Sequence, residues 1–218
     1  MHYTIDEGKV YLVGDIFDKA DLTINNLKEI DLENASVIFL GNALINEVNF
    51  SKFANFADSR SVELYFLKGF QDNYFNCHPH MHFIDKSCEI DIFGNKGMFI
   101  PNLAGHEDEP MIPDDFIDYG ENRKKIDFII GCGGPVLADF FKTDEEFHKN
   151  YLKHGIFTEK HKEEQSVYRK ILQRYRPRRW YCGHYRMSRQ TKFVWDNWSD
   201  DGVINLRILN VGEISRIA

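Results

Sequence analysis

Asp15 stands directly after an apolar run, Val10-Tyr11-Leu12-Val13, and a glycine, Gly14. A run of that length reads as a strand buried on both faces, and the glycine lets the backbone turn sharply beyond it. Asp15 is thereby left at the carboxyl end of the strand, where open α/β sheets place their ligand sites. The same design recurs four more times, ahead of Gly41-Asn42, Gly69-Phe70-Gln71-Asp72, Gly131-Cys132-Gly133-Gly134-Pro135 and Gly183-His184-Tyr185-Arg186. Two further groups carry chemistry. His78, His80 and His82 alternate, which on a strand is one face and suits zinc or nickel. Pro79 interrupts them and no carboxylate neighbours them in sequence, so an exposed strand edge is the preferred reading. Arg174, Arg176, Arg178, Arg179, Arg186 and Arg189 form a basic stretch. Such a stretch suits phosphate, a nucleotide or RNA, and equally a charged helix end favoured by the helix dipole.

The elements that must position these residues alternate. Segments 21–30 and 50–58 have helical spacing, with Asp21 as N-cap of the first, and strands are expected at 36–40, 62–67, 127–130 and 180–182. Between residues 82 and 103 short strands flank Gly94-Asn95, which predicts a hairpin. Residues 105–122 read as a solvated acidic loop, so a metal at His106-Glu107-Asp108-Glu109 is not expected. Residues 143–175 read as helix-rich, with Val167, Ile171 and Leu172 facing inward, and 192–195 with 203–211 as a closing strand pair. Gly131 to Pro135 lacks the Lys-Ser or Lys-Thr pair of a P-loop. Trp180, Tyr181, Trp195 and Trp198 are assigned to packing. Strand and helix in alternation predict an α/β fold of parallel βαβ units, and no domain boundary interrupts residues 1–218.

Composition narrows the function classes. The chain has 218 residues, 43% hydrophobic and 28% charged, as in an ordinary globular protein. Its formal charge of -7 disfavours nucleic acid as a partner, though not a local basic patch. Cys77, Cys88, Cys132 and Cys182 show no metal spacing and read as reduced thiols in a cytoplasmic protein. The first residues lack the pattern of a signal peptide, and no apolar run approaches a membrane span, so no membrane partner is expected.

The five strand-end blocks, in their order and separations, resemble the calcineurin-like metallophosphoesterase superfamily, whose pattern is GDxH, GDxxD, GNH(D/E), HxxP and GHxH. The likeness runs from Lys9 to about Val211, and the GNKGMFIPNLAG stretch resembles the linking strand and turn of that family. It implies a four-layer αββα sandwich, two mixed sheets flanked by helices, as a single domain. It also implies two divalent metals bridged by an aspartate, with a bound hydroxide attacking a phosphoester. Asp15 and His184 match the family's ligands. Phe17 stands where the pattern has a ligand histidine, Asn42 where it has the bridging aspartate, and Phe70 where it has the ligand asparagine. Gln71 replaces the general-acid histidine, Cys132 a further histidine and Arg186 the last.

These replacements share a direction, toward apolar bulk, a neutral amide and a fixed positive charge. The expected protein is therefore a pseudoenzyme without resident cofactor. Arg186 would stand in for a metal by pairing with Asp15. With Asn42, Asp72, His184 and exposed strand-end amides it would hold a phosphorylated small molecule, or the surface would meet a protein partner. One alternative is an active phosphoesterase with Asp15, Asn42, Cys132 and His184 around one Mn, Fe or Zn, in which Asp15, His184 and Gln71 are the catalytic candidates. Another is a nucleotide or nucleic-acid binder using the Arg174–Arg189 stretch.

Overall fold

A computed structural model describes residues 2–17, 19–43, 46–69, 72, 76–102, 126–135, 159–183, 188–194 and 203–218. The fold is α/β, built on two mixed sheets. The smaller has five strands in the order β12-β2-β3-β4-β5: β2 is Lys9–Val13, β3 Ala35–Phe39, β4 Glu63–Leu67, β5 Met81–Ile84 and β12 Ile214–Arg216. Strands β2 to β5 are parallel and β12 is antiparallel to β2. The larger has seven, in the order β1-β6-β7-β8-β9-β11-β10. Here β1 is His2–Ile5, β6 Cys88–Ile92, β7 Asn95–Ile100 and β8 Phe128–Gly131. The last three are β9, Arg179–Cys182, β10, Arg189–Val194, and β11, Val203–Ile208.

The continuous apolar runs have the physical meaning expected of them. In the five-stranded sheet, Tyr11, Val13, Val37, Phe39, Leu64 and Phe66 point to one core, while Val10, Leu12, Ile38, Leu40, Tyr65 and Leu67 point to another. Side chains alternate along a strand, so a strand apolar at every position must be covered on both faces. The first core lies under helices α1 (Ala20–Lys28) and α2 (Glu47–Arg60), which contribute Ile24, Leu27, Phe50 and Phe53. Phe39 stacks on Phe66 at 4.5 Å between ring centres, and Phe53 meets both edge-on. The second core joins the two sheets, with Ile90, Phe99, Phe128 and Ile130 supplied by the larger one.

Local departures from the sequence expectations have local causes. Asp21 does not cap α1; the helix starts at Ala20, and Asp21 in its first turn pairs with Lys52 of α2 at 2.6 Å. The β6–β7 hairpin turns on Phe93 and Gly94, both at positive φ, one residue earlier than expected. Asp91 Oδ1 accepts from the Gly94 amide at 2.6 Å and holds that turn. Helix α2 starts earlier than the expected segment 50–58, with Asn46 as its N-cap accepting from the Asn49 amide.

Two compact units divide the chain: residues 1–102, 126–133 and 177–218 make one, and residues 103–125 and 134–176 the other. Both sheets belong to the first. The second contains helix α3, Glu159–Tyr175, with Val167, Tyr168, Ile171 and Leu172 buried and the Tyr168 hydroxyl donating to Glu164 at 2.6 Å. Burial pushes the Glu164 carboxyl up, against the effect of that hydrogen bond. Among the described residues no helix is long and apolar enough to cross a membrane.

Candidate functional site

The carboxyl ends of β2, β3, β4, β8 and β9 meet, and the polar residues that follow them come together there. Asp15 and Asn42 are both buried, at 1% and 3% exposure. Asn42 Nδ2 donates to Asp15 Oδ2 at 2.9 Å. An ionised carboxylate only accepts, so the amide must present its NH2 group to it. The backbone joins the same turns: the Phe17 amide donates to the Asn42 carbonyl at 2.7 Å. Phe17 and Asn42 both sit at positive φ, 47° and 44°. Asparagine tolerates this conformation; for phenylalanine it is a strained one, held in place by that hydrogen bond.

Glycines make the convergence possible because backbone and side chain touch where a Cβ would lie. A Cβ on Gly183 would sit 2.8 Å from Asp15 Oδ1, and one on Gly41 would sit 2.4 Å from Cys132 Sγ. Gly41 also has φ +116°, which a side chain would not permit without strain. The Gly69 position is as crowded, 2.7 Å from Asn42 Oδ1. Thus Asp15, Asn42, Cys132 and the turns at Gly69 and Gly183 form one buried cluster.

Four of the expected site residues are described. Asp15 and Asn42 are paired as above. Cys132 is buried with its sulfur against Gly41. Asp72 is buried and turned back on its own turn, accepting from the Gly69 amide at 2.6 Å. Gln71, His184 and Arg186 lie outside the described residues, as does Phe70, so the expected Arg186–Asp15 pair lies there too. The expected anion cradle of strand-end amides needs correction. The amide of Gly14 donates to the Glu213 carbonyl, that of Cys132 to Ile100 and that of Gly183 to Cys132. With the Gly69 amide on Asp72, these four are engaged within the protein, because a buried amide must find a partner.

The alternating histidines lie on and just before β5, at the edge of the five-stranded sheet. The carboxylate that their sequence neighbourhood lacks is Glu63 on β4. It takes His80 Nδ1 at 2.6 Å and His82 Nε2 at 2.7 Å, while His78 turns to Asp58 at 3.5 Å. Burial pushes the Glu63 carboxyl up, but the two imidazole hydrogen bonds outweigh it and hold it below its usual value. The hydrogen bond to Glu63 raises His80. Tyr65 stacks on His82 at 4.6 Å, and burial together with the Glu63 charge pushes its hydroxyl up to about 12. The basic stretch is split in turn. Arg174 and Arg176 end α3 in one unit, while Arg178, Arg179 and Arg189 belong to the other.

Among the described residues, no group of three or more His, Cys, Asp or Glu side chains is placed to hold a metal. No protein-family model matches this chain, and no curated protein matches it. Among solved structures the chain is similar to a protein of unknown function from Aquifex aeolicus. That likeness has 11% identity and a TM-score of 0.43, and covers 91% of this chain and 96% of the other.

Proposed function

We propose that this chain is a metallophosphoesterase-like binding protein that keeps a cluster of strand-end turns without a two-metal hydrolytic centre. The observation that carries the reading is the buried bond from Asn42 Nδ2 to Asp15 Oδ2, 2.9 Å long. A two-metal centre needs a bridging carboxylate to neutralise two cations a few ångströms apart. The residue that the resemblance puts at that point is a neutral amide, and its NH2 group donates to the Asp15 carboxylate. Asp72 accepts from the Gly69 amide, and the Cys132 sulfur lies against Gly41. These residues do not fit a pair of divalent metals, and no hydrolytic step is derived through them.

The ligand of this cluster is an anion or a protein partner. With four strand-end amides engaged, recognition of an anion falls to the side chains of Arg186 and His184. A hydrolysis assay with p-nitrophenyl phosphate and bis-p-nitrophenyl phosphate, in added Mn, Zn or Fe, tests the reading. Rates indistinguishable from buffer are expected. Turnover that disappears in Asp15→Ala would contradict it.

A further inference from the structure

Across the larger sheet, one face changes chemistry abruptly. Residues paired in register share a face, and on the side turned toward the smaller sheet Ile90 pairs with Gly97, Gly97 with Phe128, and Phe99 with Ile130. These belong to the core between the sheets or line up with it. Continuing outward, Phe128 pairs with Arg179 and Ile130 with Tyr181. Arg179 and Tyr181 then pair with Asn205 and Arg207, and these with Lys192 and Gln190. From β9 on, the inward-facing side chains are therefore cationic or polar. The opposite face stays apolar, since Ile129, Trp180 and Leu206 are all buried.

The change coincides with the end of the smaller sheet. Seven strands overhang five, and the edge strand there is β12, which brings Arg216. Beneath the overhang is a cavity of about 350 Å³ walled by Arg179, Tyr181, Gln190, Asn205, Arg207 and Arg216. Three guanidinium groups thus share one concavity. Arg207 pairs with Glu213 at 3.3 Å, and Arg216 Nε donates to the Ala218 carbonyl at 3.0 Å. Among the described residues no carboxylate lies within ion-pair distance of Arg179 or Arg216, although the Arg216 charge helps to hold Asp31 down.

We propose that this cavity binds a small organic phosphate, a phosphate monoester on a nucleoside or sugar. Arg207 is already paired with Glu213, but no Asp or Glu side chain among the described residues is paired with Arg179 or Arg216, and guanidinium matches phosphate with paired hydrogen bonds. Tyr181, Gln190 and Asn205 supply neutral donors and acceptors beside them. The volume falls in the range of small-ligand sites, roughly 300–1,000 Å³. At about 30 Å³ per water it exceeds what inorganic phosphate would fill. The chain's net charge of -7 favours a small anion over a nucleic-acid track. The site is independent of the strand-end cluster. Arg179 precedes Gly183 by four residues along β9, about 13 Å at strand rise.

Calorimetric titration of the full chain with adenosine monophosphate, ribose 5-phosphate and inorganic phosphate at low salt tests the proposal. At least one organic phosphate is expected to bind below about 1 mM, weakening as salt is added, with inorganic phosphate about tenfold weaker or more. Arg179→Gln and Arg216→Gln, both exposed positions, should each weaken binding about tenfold while leaving the melting temperature in place. A ligand seated at the strand-end cluster would instead be indifferent to both arginine variants. Neither organic phosphate binding, inorganic phosphate binding as tightly as both, or affinity indifferent to both arginine variants would overturn the proposal. So would a short single-stranded RNA that binds through Arg179 when neither organic phosphate does.

Discussion

The side-chain amide of Asn42 closes on the carboxylate of Asp15 at 2.9 Å, inside a cluster where both residues are almost fully buried. A buried carboxylate needs a donor or a cation, and here a donor is supplied by a side chain of the protein itself. The bond links the turn after β2 to the turn after β3. It is reinforced by the Phe17 amide on the Asn42 carbonyl, so two neighbouring turns hold each other through both side chain and backbone.

An aspartate at position 42 should therefore harm this protein. Asn42→Asp replaces a donor with a second carboxylate against Asp15, and two buried carboxylates cannot both ionise cheaply. A loss of about 3 kcal/mol at neutral pH is expected. One carboxyl of the pair would then have a folded pKa above its unfolded value. The penalty is consequently absent at acid pH and grows as pH rises from the unfolded value through the folded one. Denaturant melts of both proteins at several pH values measure it. A variant as stable as the parent at neutral pH would contradict the account of this bond.

Gly183 should tolerate no side chain. In Gly183→Ala the new Cβ would lie 2.8 Å from Asp15 Oδ1, on a short buried side chain bonded to Asn42, and 3.3 Å from the Leu40 Cβ. Overpacking of this kind costs about 1–3 kcal/mol. Thermal melts should show the loss, and an unchanged melting temperature would mean that β2 and β9 do not converge as described.

The triad of Glu63, His80 and His82 should add stability in a restricted pH window. Glu63 is held below its usual carboxyl value of 4.5, so its contribution is present above that value and lost as pH falls through the folded one. His80 is raised above 6.5, so its contribution is full below that value and lost as pH rises through the folded one. The two overlap between about 4.5 and 6.5. Both side chains are partly exposed, which limits the effect to under about 1 kcal/mol, or about 2 °C in melting temperature. The gap between the parent and Glu63→Gln should peak in that window and narrow above it. A gap that widens steadily toward alkaline pH would contradict the pairing.

What could be read from the chain in advance follows from where the information resides. The strands ending at Val13, Phe39, Leu67 and Gly131 announce themselves by continuous apolar runs before a glycine, because burial on both faces leaves no room for alternation. Strand β1 offers only Ile5 as a buried residue, and β12 spans three residues; both exist through pairing with distant strands. The same holds for side-chain partners. Glu63 meets His80 and His82 only because the β4–β5 register brings Tyr65 opposite His82. Asp72 sits in a recognisable strand-end block, but its use as the acceptor for Gly69 is a feature of the folded turn. Nothing local marks Arg207 and Arg216 in the sequence, because their cavity arises from unequal sheet widths. The polar alternation in Val203–Ile208, with Asn205 and Arg207 between buried Ile204, Leu206 and Ile208, was the available signal.

If the Asn42 amide rather than a metal holds the Asp15 cluster, elemental analysis of protein incubated with excess Mn, Zn and Fe and then desalted should find well under one bound metal per chain, the same in the parent and in Asp15→Ala. A full equivalent that vanishes in Asp15→Ala would make the cluster a metal centre instead.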